Sequence, residues 1–182
     1  VLSLDNSVYV LKNINALTGF ESINLTNGSI FTEENTLLAL GDNANDSTGT
    51  VFNIDANSVL ALTNTAGVAF RSHLNGTGTV KADLSNQIFS FTDNNKEDAF
   101  AGTLDLSNSK LGLDGINTQA LKAANLKLSN GSVATLGAGQ QNIGGLVFNG
   151  GTANFGELNP GVKEASNMIH TANTLDISGQ GV

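Results

Sequence analysis

Few side chains in this sequence belong to the types that commonly perform catalysis or bind metals. The only histidines are His73 and His170, which lie in different segments between the apolar patterns described below. A zinc site needs several histidine or cysteine ligands at characteristic spacing, and the chain has no cysteine. Serine and aspartate are frequent enough for a Ser-His-Asp arrangement, but the Gly-x-Ser-x-Gly turn that presents a nucleophilic serine does not occur. We therefore interpret both histidines as surface side chains.

Two polar stretches contain the oxygen ligands that calcium prefers. Residues 42–46 carry aspartate and asparagine, but they lack the downstream bidentate glutamate of an EF-hand and the Gly-Gly-x-Gly-x-Asp repeat of calcium-binding β-rolls. The second stretch is an acidic cluster of Asp93, Glu97 and Asp98. Because aspartate and asparagine also form turns by bonding their own main chain, we predict a solvated turn at the first stretch and a solvated loop at the second.

A polysaccharide-cleaving enzyme needs two carboxylates that face one cleft, or a base beside calcium-held carboxylates. Asp5, Asp55 and Asp105 take outward or turn positions in the repeat described below, but they do not fall on adjacent copies, and Arg71 is the only strong base. No catalytic constellation emerges. We therefore predict no enzyme activity, no cofactor and no catalytic, metal-binding or cofactor-binding residue, and the residues that bind a ligand stay unidentified.

Composition excludes several classes of partner. The 182 residues carry a net charge of −8, with sixteen acidic side chains against eight basic ones. The lysines are scattered, whereas nucleic-acid binding and docking on anionic lipids require clustered basic residues. No apolar run approaches the length that spans a bilayer, and the first residues form no signal peptide. The absence of cysteine fits an intracellular protein or a bacterial exported protein.

An apolar pattern recurs along the whole chain. An apolar-x-apolar pair is followed by about four polar or small residues and then by a second alternating pair. The residue before each polar turn stands at positions 4, 25, 54, 84, 106, 128, 148 and 177, so successive spacings are 21, 29, 30, 22, 22, 20 and 29. The alternation predicts strands with one buried face, and the turns are rich in Asn, Asp, Ser and Gly. A unit of two strands cannot bury its face alone, so neighbouring copies must stack.

The spacing predicts an all-β, right-handed parallel β-helix of about eight rungs with loop insertions. An antiparallel sandwich or barrel explains the alternation equally well, but it explains the near-constant spacing less well. Residues 32–50, 63–79 and 156–174, and the shorter stretch 93–98, are predicted insertions, and function is expected there because stacked rungs supply only a scaffold. The pattern begins and ends abruptly. We expect residues 1–182 to form a single β-helix segment that is a fragment of a longer protein.

The later copies carry a family resemblance. Between Phe100 and Phe155 the sequence reads FAGTLDLSNSKLGLDG, then LKAANLKLSNGSVATLG, then IGGLVFNGGTANF. This stretch resembles the passenger region of bacterial autotransporter proteins, of the pertactin-like and AIDA-type adhesins. The resemblance implies a right-handed β-helix displayed outside the cell by a C-terminal outer-membrane barrel, with roles in adhesion, self-association, biofilm formation and virulence. Its motifs are those of a rung, so they assign no binding residue.

We therefore expect a surface-displayed or secreted, extracellular adhesin segment that is not itself embedded in the membrane. Its partners would be host-cell glycans, a matrix protein or a second copy of itself, and not nucleic acid. Contacts would be weak, polar and repeated along faces rich in Asn, Thr and Ser. A polysaccharide-active β-helix enzyme and a passive structural spacer of a larger autotransporter remain the alternatives.

Overall fold

The computed structural model describes residues 1–12, 20–35, 49–113, 119–136, 139–155 and 167–176. These residues form eighteen strands and a 3₁₀ helix at Asp93–Glu97. The strands, numbered in chain order, are β1 (Leu2–Asp5), β2 (Val8–Leu11), β3 (Ser22–Thr26), β4 (Ile30–Glu34), β5 (Val51–Ile54), β6 (Val59–Thr63), β7 (Val68–Phe70), β8 (His73–Gly76), β9 (Thr79–Asp83), β10 (Ile88–Phe91), β11 (Ala99–Phe100), β12 (Thr103–Ser107), β13 (Lys110–Leu113), β14 (Asn125–Ser129), β15 (Val133–Leu136), β16 (Gly139–Asn149), β17 (Thr152–Phe155) and β18 (Asn167–Asp176). No helix in the described ranges is long and apolar enough to cross a bilayer.

The strands form three sheets that run along the axis of a solenoid. Sheet A contains β1, β3, β5, β8 and β11; sheet B contains β2, β4, β6, β9, β12, β14, β16 and β18; sheet C contains β7, β10, β13, β15 and β17. Every pairing between these strands is parallel. The prediction of an all-β parallel β-helix is therefore confirmed, and the antiparallel sandwich is excluded.

The register of sheet B measures the length of each coil. One register column joins Val8, Ile30, Val59, Thr79, Thr103, Asn125, Gly145 and Thr174, whose successive sequence numbers differ by 22, 29, 20, 24, 22, 20 and 29. The chain completes about six turns, slightly fewer than the eight rungs predicted.

The repeat changes its frame between its third and fourth copies. Leu25 and Ile54 lie at the corner between sheets A and B, whereas Leu106 lies at the corner between sheets B and C. Ile54 is in register with Gly76 on the next coil, so the interval from 54 to 84 spans one coil and one further strand. The predicted insertion at residues 63–79 is therefore wrong, since it contains β7 of sheet C and β8 of sheet A. Both corners carry the same apolar–polar–apolar pattern, which hides the change of frame.

Two predicted insertions coincide with the two longest coils. These coils run from β4 to β6 and from β16 to β18. Residues 36–48 and 156–166, which fall within those predicted insertions, lie outside the described residues. The end of the second predicted insertion, from residue 167 onward, belongs to β18 and pairs with β16 in sheet B.

Buried apolar side chains at alternate strand positions form one core cluster, which reaches from Leu4 to Leu146. The inward column of sheet B includes Phe31, Leu60, Val80, Leu104 and Leu126, each of which is 0% exposed. Burying a side chain of this size contributes about 1.5–3 kcal/mol relative to leaving it exposed. The rings stack between coils as well, with centroids 5.5 Å apart for Tyr9 and Phe31. The inward positions therefore hold the coils together and leave the outward positions free to vary.

Asparagine and serine shape the corners. Asn6, Asn27, Asn108 and Asn130 have φ angles of 45°, 55°, 47° and 48°, in the left-handed region that asparagine tolerates better than most residues. Buried serines satisfy the backbone inside the corner, as where Leu84 N donates to Ser109 Oγ at 2.9 Å. The turns rich in Asn and Ser therefore form and stabilise the corners of the coils.

Candidate functional site

The outward face of sheet B carries a column of alternating charges. Lys81 of β9 is in register with Asp105 of β12, and Asp105 is in register with Lys127 of β14. Neighbouring strands lie about 4.8 Å apart, so these side chains stand directly above one another. We call these three residues the charge ladder. Ala61 precedes the ladder on β6, and Val147 follows it on β16.

Within the charge ladder, Asp105 and Lys127 neutralise each other. Lys127 Nζ lies 2.9 Å from Asp105 Oδ2, and Ser129 Oγ donates to Asp105 Oδ1 at 2.8 Å. Both carboxylate oxygens of Asp105 are therefore engaged. The Lys127 side chain is 34% exposed and that of Asp105 is 16% exposed, so this pair is more sheltered than an ordinary surface ion pair.

Lys81, the first residue of the charge ladder along the chain, is the cation that an incoming ligand can reach. Lys81 is exposed, and in the part of the chain that the structure describes its ammonium takes part in no ion pair. Asp105 on the next coil is already committed to Lys127 and Ser129. A negatively charged ligand can thus approach Lys81 without displacing an internal partner.

A shallow groove of about 390 Å³ runs along the ladder. Its walls add hydroxyl, amide and carboxylate groups from the column beside the ladder, and its floor is made of small and apolar residues. We call this surface the ladder groove; its lining is Ala61, Leu62, Thr63, Lys81, Ala82, Asp83, Asp105, Ser107, Lys127, Ser129, Asn130 and Asn149. The arrangement suits a polar ligand that lies along several coils.

The carboxylates of the ladder groove are held by their neighbours. Asp105 is bound to Lys127 and Ser129, while Asp83 Oδ1 accepts a hydrogen bond from Asn108 Nδ2 at 3.3 Å. A glycosidase needs one carboxyl group as an acid and another as a base or nucleophile on the two sides of the bond that is cleaved. In this groove both Asp83 and Asp105 are engaged by neighbouring side chains.

A second polar cluster fastens the 3₁₀ helix to sheet A. His73 Nδ1 lies 2.7 Å from Asp98 Oδ1. The other oxygen of Asp98 accepts hydrogen bonds from Leu74 N at 2.9 Å and from Asn95 Nδ2 at 3.1 Å. The Asp98 side chain is only 4% exposed. A buried carboxylate with several donors stabilises the fold where it sits.

This cluster corrects two sequence-based interpretations. Asp93 and Glu97 are exposed, but Asp98 is buried and lies at the end of an ordered helix, so the predicted solvated loop is wrong for it. His73 is 28% exposed and paired, and is therefore not a free surface side chain. The two partners are separated in the sequence by about the length of one coil, and that separation was the signal in the sequence.

The remaining candidate residues do not converge on a reactive site. Asp55 accepts a hydrogen bond from Asn27 N at 2.7 Å; bonds from the Ser58 side chain and from the Asn27 backbone hold the pKa of Asp55 below its ordinary value. Asp5 accepts a hydrogen bond from Thr26 Oγ1 at 3.2 Å. Both aspartates therefore stabilise corners of the solenoid by accepting hydrogen bonds from a neighbouring coil. Among the described residues, no three His, Asp or Glu side chains are grouped as metal ligands.

Two predicted features fall at the margins of the described structure. Residues 42–46 lie outside the described residues. The backbone of His170 belongs to β18 and is in register with Asn142 of β16. The structure therefore does not bring His170 into the cluster of His73 and Asp98, which lies at the end of sheet A.

Sheet A presents a ladder of amides on its outward face. Asn53 Nδ2 donates to Asn24 Oδ1 at 2.8 Å, and Asn75 Nδ2 donates to Asn53 Oδ1 at 3.0 Å. Asn24 Nδ2 in turn lies 3.4 Å from Ser3 Oγ. Asparagine at the same offset in successive copies was the signal for this column, although the sequence did not show which residues would stack.

Two proteins of Escherichia coli K12 are similar to this chain. The uncharacterized protein YuaQ is 34% identical over 125 residues, which is 69% of this chain and 9% of YuaQ. The uncharacterized lipoprotein YdeK is 32% identical over 147 residues, which is 76% of this chain and 11% of YdeK. The chain therefore corresponds to a small part of either relative. No family model matches the chain, and no solved structure matches it.

Proposed function

We propose that this chain is a segment of a surface-displayed or secreted β-helical adhesin that mediates attachment to host surfaces or contact between cells. The observation that carries the proposal is the ladder groove, where charged, hydroxyl and amide groups are repeated along the outward face of an eight-stranded sheet. A rigid face of repeated polar groups favours holding an extended partner.

The physical mechanism is repetition of weak contacts. An exposed ion pair or hydrogen bond contributes only about 0.2–1 kcal/mol. Parallel register places such groups at regular intervals along the solenoid, so one extended partner meets several of them at once. The amide ladder of Asn24, Asn53 and Asn75 on sheet A provides a second polar face of the same kind.

The comparisons support a location at the cell envelope. YdeK is a lipoprotein by name, and lipoproteins are anchored to membranes. The sequence also resembles autotransporter passengers between Phe100 and Phe155. Display outside the cell, through an autotransporter route, is the finer part of the proposal.

The proposal is tested by displaying the segment on a non-adherent bacterium. We expect display to increase attachment to host cells or cell–cell aggregation. A variant that neutralises the charge ladder, Lys81→Gln with Asp105→Asn and Lys127→Gln, should lose most of that gain. A control on the outward face of sheet C, Lys110→Gln with Ser90→Ala, changes the net charge equally and should retain it.

The outcomes separate an adhesin from a passive spacer. Attachment that depends on the charge ladder supports the proposal. A displayed, folded segment that confers neither attachment nor aggregation is a spacer, and the proposal is then wrong. Equal losses in the ladder variant and in the sheet C control would also contradict it, because they would reflect net charge and not the groove.

A further inference from the structure

We propose that the ladder groove binds an acidic saccharide and that the Lys81 ammonium holds an isolated carboxylate of the sugar. This inference rests on the adhesin function proposed above and deepens it by naming the class of ligand. It combines two observations: a cation that takes part in no ion pair within the described residues, and a row of hydroxyl and amide groups beside it.

The charge of Lys81 is the first step. Asp105 gives one oxygen to Lys127 at 2.9 Å and the other to Ser129 at 2.8 Å, so its negative charge is already shared. Ala61 occupies the position in register with Lys81 on the preceding coil, and its methyl group leaves room beside the lysine stem. A carboxylate placed there forms a charge-assisted hydrogen bond with the ammonium.

The hydroxyl and amide groups are the second step. Ser107 Oγ accepts a hydrogen bond from Asn130 Nδ2 at 2.8 Å, so its own proton is available to a ligand. Thr63 stands two coils before Ser107 in the same outward column, with Asp83 between them. These groups repeat at about 4.8 Å, which is comparable to the length of one sugar ring, so successive sugar hydroxyls can find successive partners.

The density of charge on the ligand is the third step. The protein carries a net charge of −8, and the groove itself contains Asp83 and Asp105. In physiological salt, charges within about 8 Å of one another still interact. A densely sulfated chain would therefore bring several anions against these carboxylates. A saccharide with one carboxylate among neutral sugars meets Lys81 and brings only a single anion near these carboxylates.

The test uses the purified chain and four immobilised probes. The first is a polymer that bears sialyllactose, the second is the same polymer bearing lactose, which lacks the acidic sugar, and the third is heparin, a dense polyanion. A polymer bearing single glucuronic acid groups is added to distinguish a sialic acid from a uronic acid as the source of the carboxylate. Circular dichroism confirms that each variant is folded.

We expect retention on one or both carboxylated polymers and little on lactose polymer or heparin. Lys81→Gln should weaken retention about five-fold, because a single exposed charge contact is lost. Lys110→Gln, an equal change of charge on the outward face of sheet C, should leave retention unchanged. Equal binding to the lactose polymer, tighter binding to heparin, no binding to either carboxylated polymer, or equal losses in the two lysine variants would each overturn the inference.

Failure of this inference is distinguishable from failure of the adhesin proposal. If a displayed Lys81→Gln segment attaches to host cells as well as the original and the purified chain ignores both carboxylated polymers, the adhesin proposal survives and the acidic ligand does not. If the displayed original segment confers no attachment at all, the adhesin proposal fails, and with it the inference that rests on it.

Discussion

The outward face of sheet B differs sharply between its first three strands and the next three. On β2 and β4 the outward face exposes three apolar side chains, Val8, Val10 and Ile30, by 71%, 41% and 37%, and its one ion pair among the described residues joins Glu34 to Lys12 beside it. On β9, β12 and β14 the outward face carries the charge ladder. The inward column that contains Leu60 and Leu104 shows no such change, since both residues are fully buried. Packing of the core constrains the inward positions in both halves of the sheet. The outward positions are not constrained in this way, so the two halves can carry different surfaces.

Substitutions of buried leucines test whether the two halves share the same interior, and they should have larger effects than any change at the surface. Leu60→Ala in the apolar half and Leu104→Ala in the charged half should each lower the free energy of unfolding by about 2–5 kcal/mol, because each leaves a cavity in the stacked core. Urea denaturation followed by circular dichroism measures the loss. Thr103→Ala, an outward neighbour, should stay within about 0.5 kcal/mol. A large loss in only one half would show that the inner columns are not equivalent.

A smaller effect concerns the corner where the acidic side chain of Asp98 is buried. Asp98→Ala should lower the free energy of unfolding by about 1–3 kcal/mol, since Leu74 N and the buried Asn95 amide lose their acceptor. The same denaturation measurement detects it. Glu97→Ala is the matched control, because Glu97 is exposed in the same 3₁₀ helix. Similar losses for the two variants would contradict the assignment of Asp98 as a fastening residue.

The charge ladder itself should contribute little to stability. Lys127→Met removes the contact with Asp105, and we expect a loss of about 0.2–1 kcal/mol, as for partly exposed ion pairs. Val8→Thr in the apolar half should cost no more. Thermal melts at low and high salt compare the two variants. The cost of Lys127→Met relative to the original chain should shrink at high salt, whereas the cost of Val8→Thr should not change. If Lys127→Met lowered the free energy of unfolding by several kcal/mol, the ladder would serve mainly to stabilise the fold, and its assignment to binding would be weaker.

The smallest effect depends on pH. The pKa of Asp55 is lowered by hydrogen bonds from the Ser58 side chain and the Asn27 backbone, from an ordinary value of 3.8. The folded state thus binds this proton less readily than the unfolded state, so Asp55 contributes stability above its unfolded pKa and loses it as pH falls through the folded pKa. Acid unfolding below about pH 4 should be less steep for Asp55→Asn than for the original chain. Identical acid transitions would contradict this role.

The sequence predicts the fold class because the coils repeat a pattern that has one structural solution. Alternation at Leu104 and Leu106, repeated one coil later at Leu126 and Leu128, requires like strands to stack in parallel. The frame of the repeat was less predictable. Both corners of a coil use the same Asn and Ser chemistry, so the pattern alone places the strand around His73 in an insertion.

The sequence predicted the type of surface at the candidate site, but not the residues that form it. Faces rich in Asn, Thr and Ser were expected, but the charge ladder depends on register, since the interval from Lys81 to Asp105 is longer than that from Asp105 to Lys127. A register shift by a single residue in either coil would move a ladder side chain from the outward face of the sheet to the core face. The pairing of His73 with Asp98 likewise required the length of one particular coil.

The ladder groove exists only if successive coils stack in register, and distances between spin labels measure that stacking. The chain has no cysteine, so pairs can be introduced at outward positions of one column, with Val8→Cys fixed and the second label at Thr79, Thr103 or Asn125. These positions lie three, four and five strands away from Val8 in sheet B. We expect the label distance to rise by about 4.8 Å from each pair to the next. Distances that fail to increase in this order would contradict it.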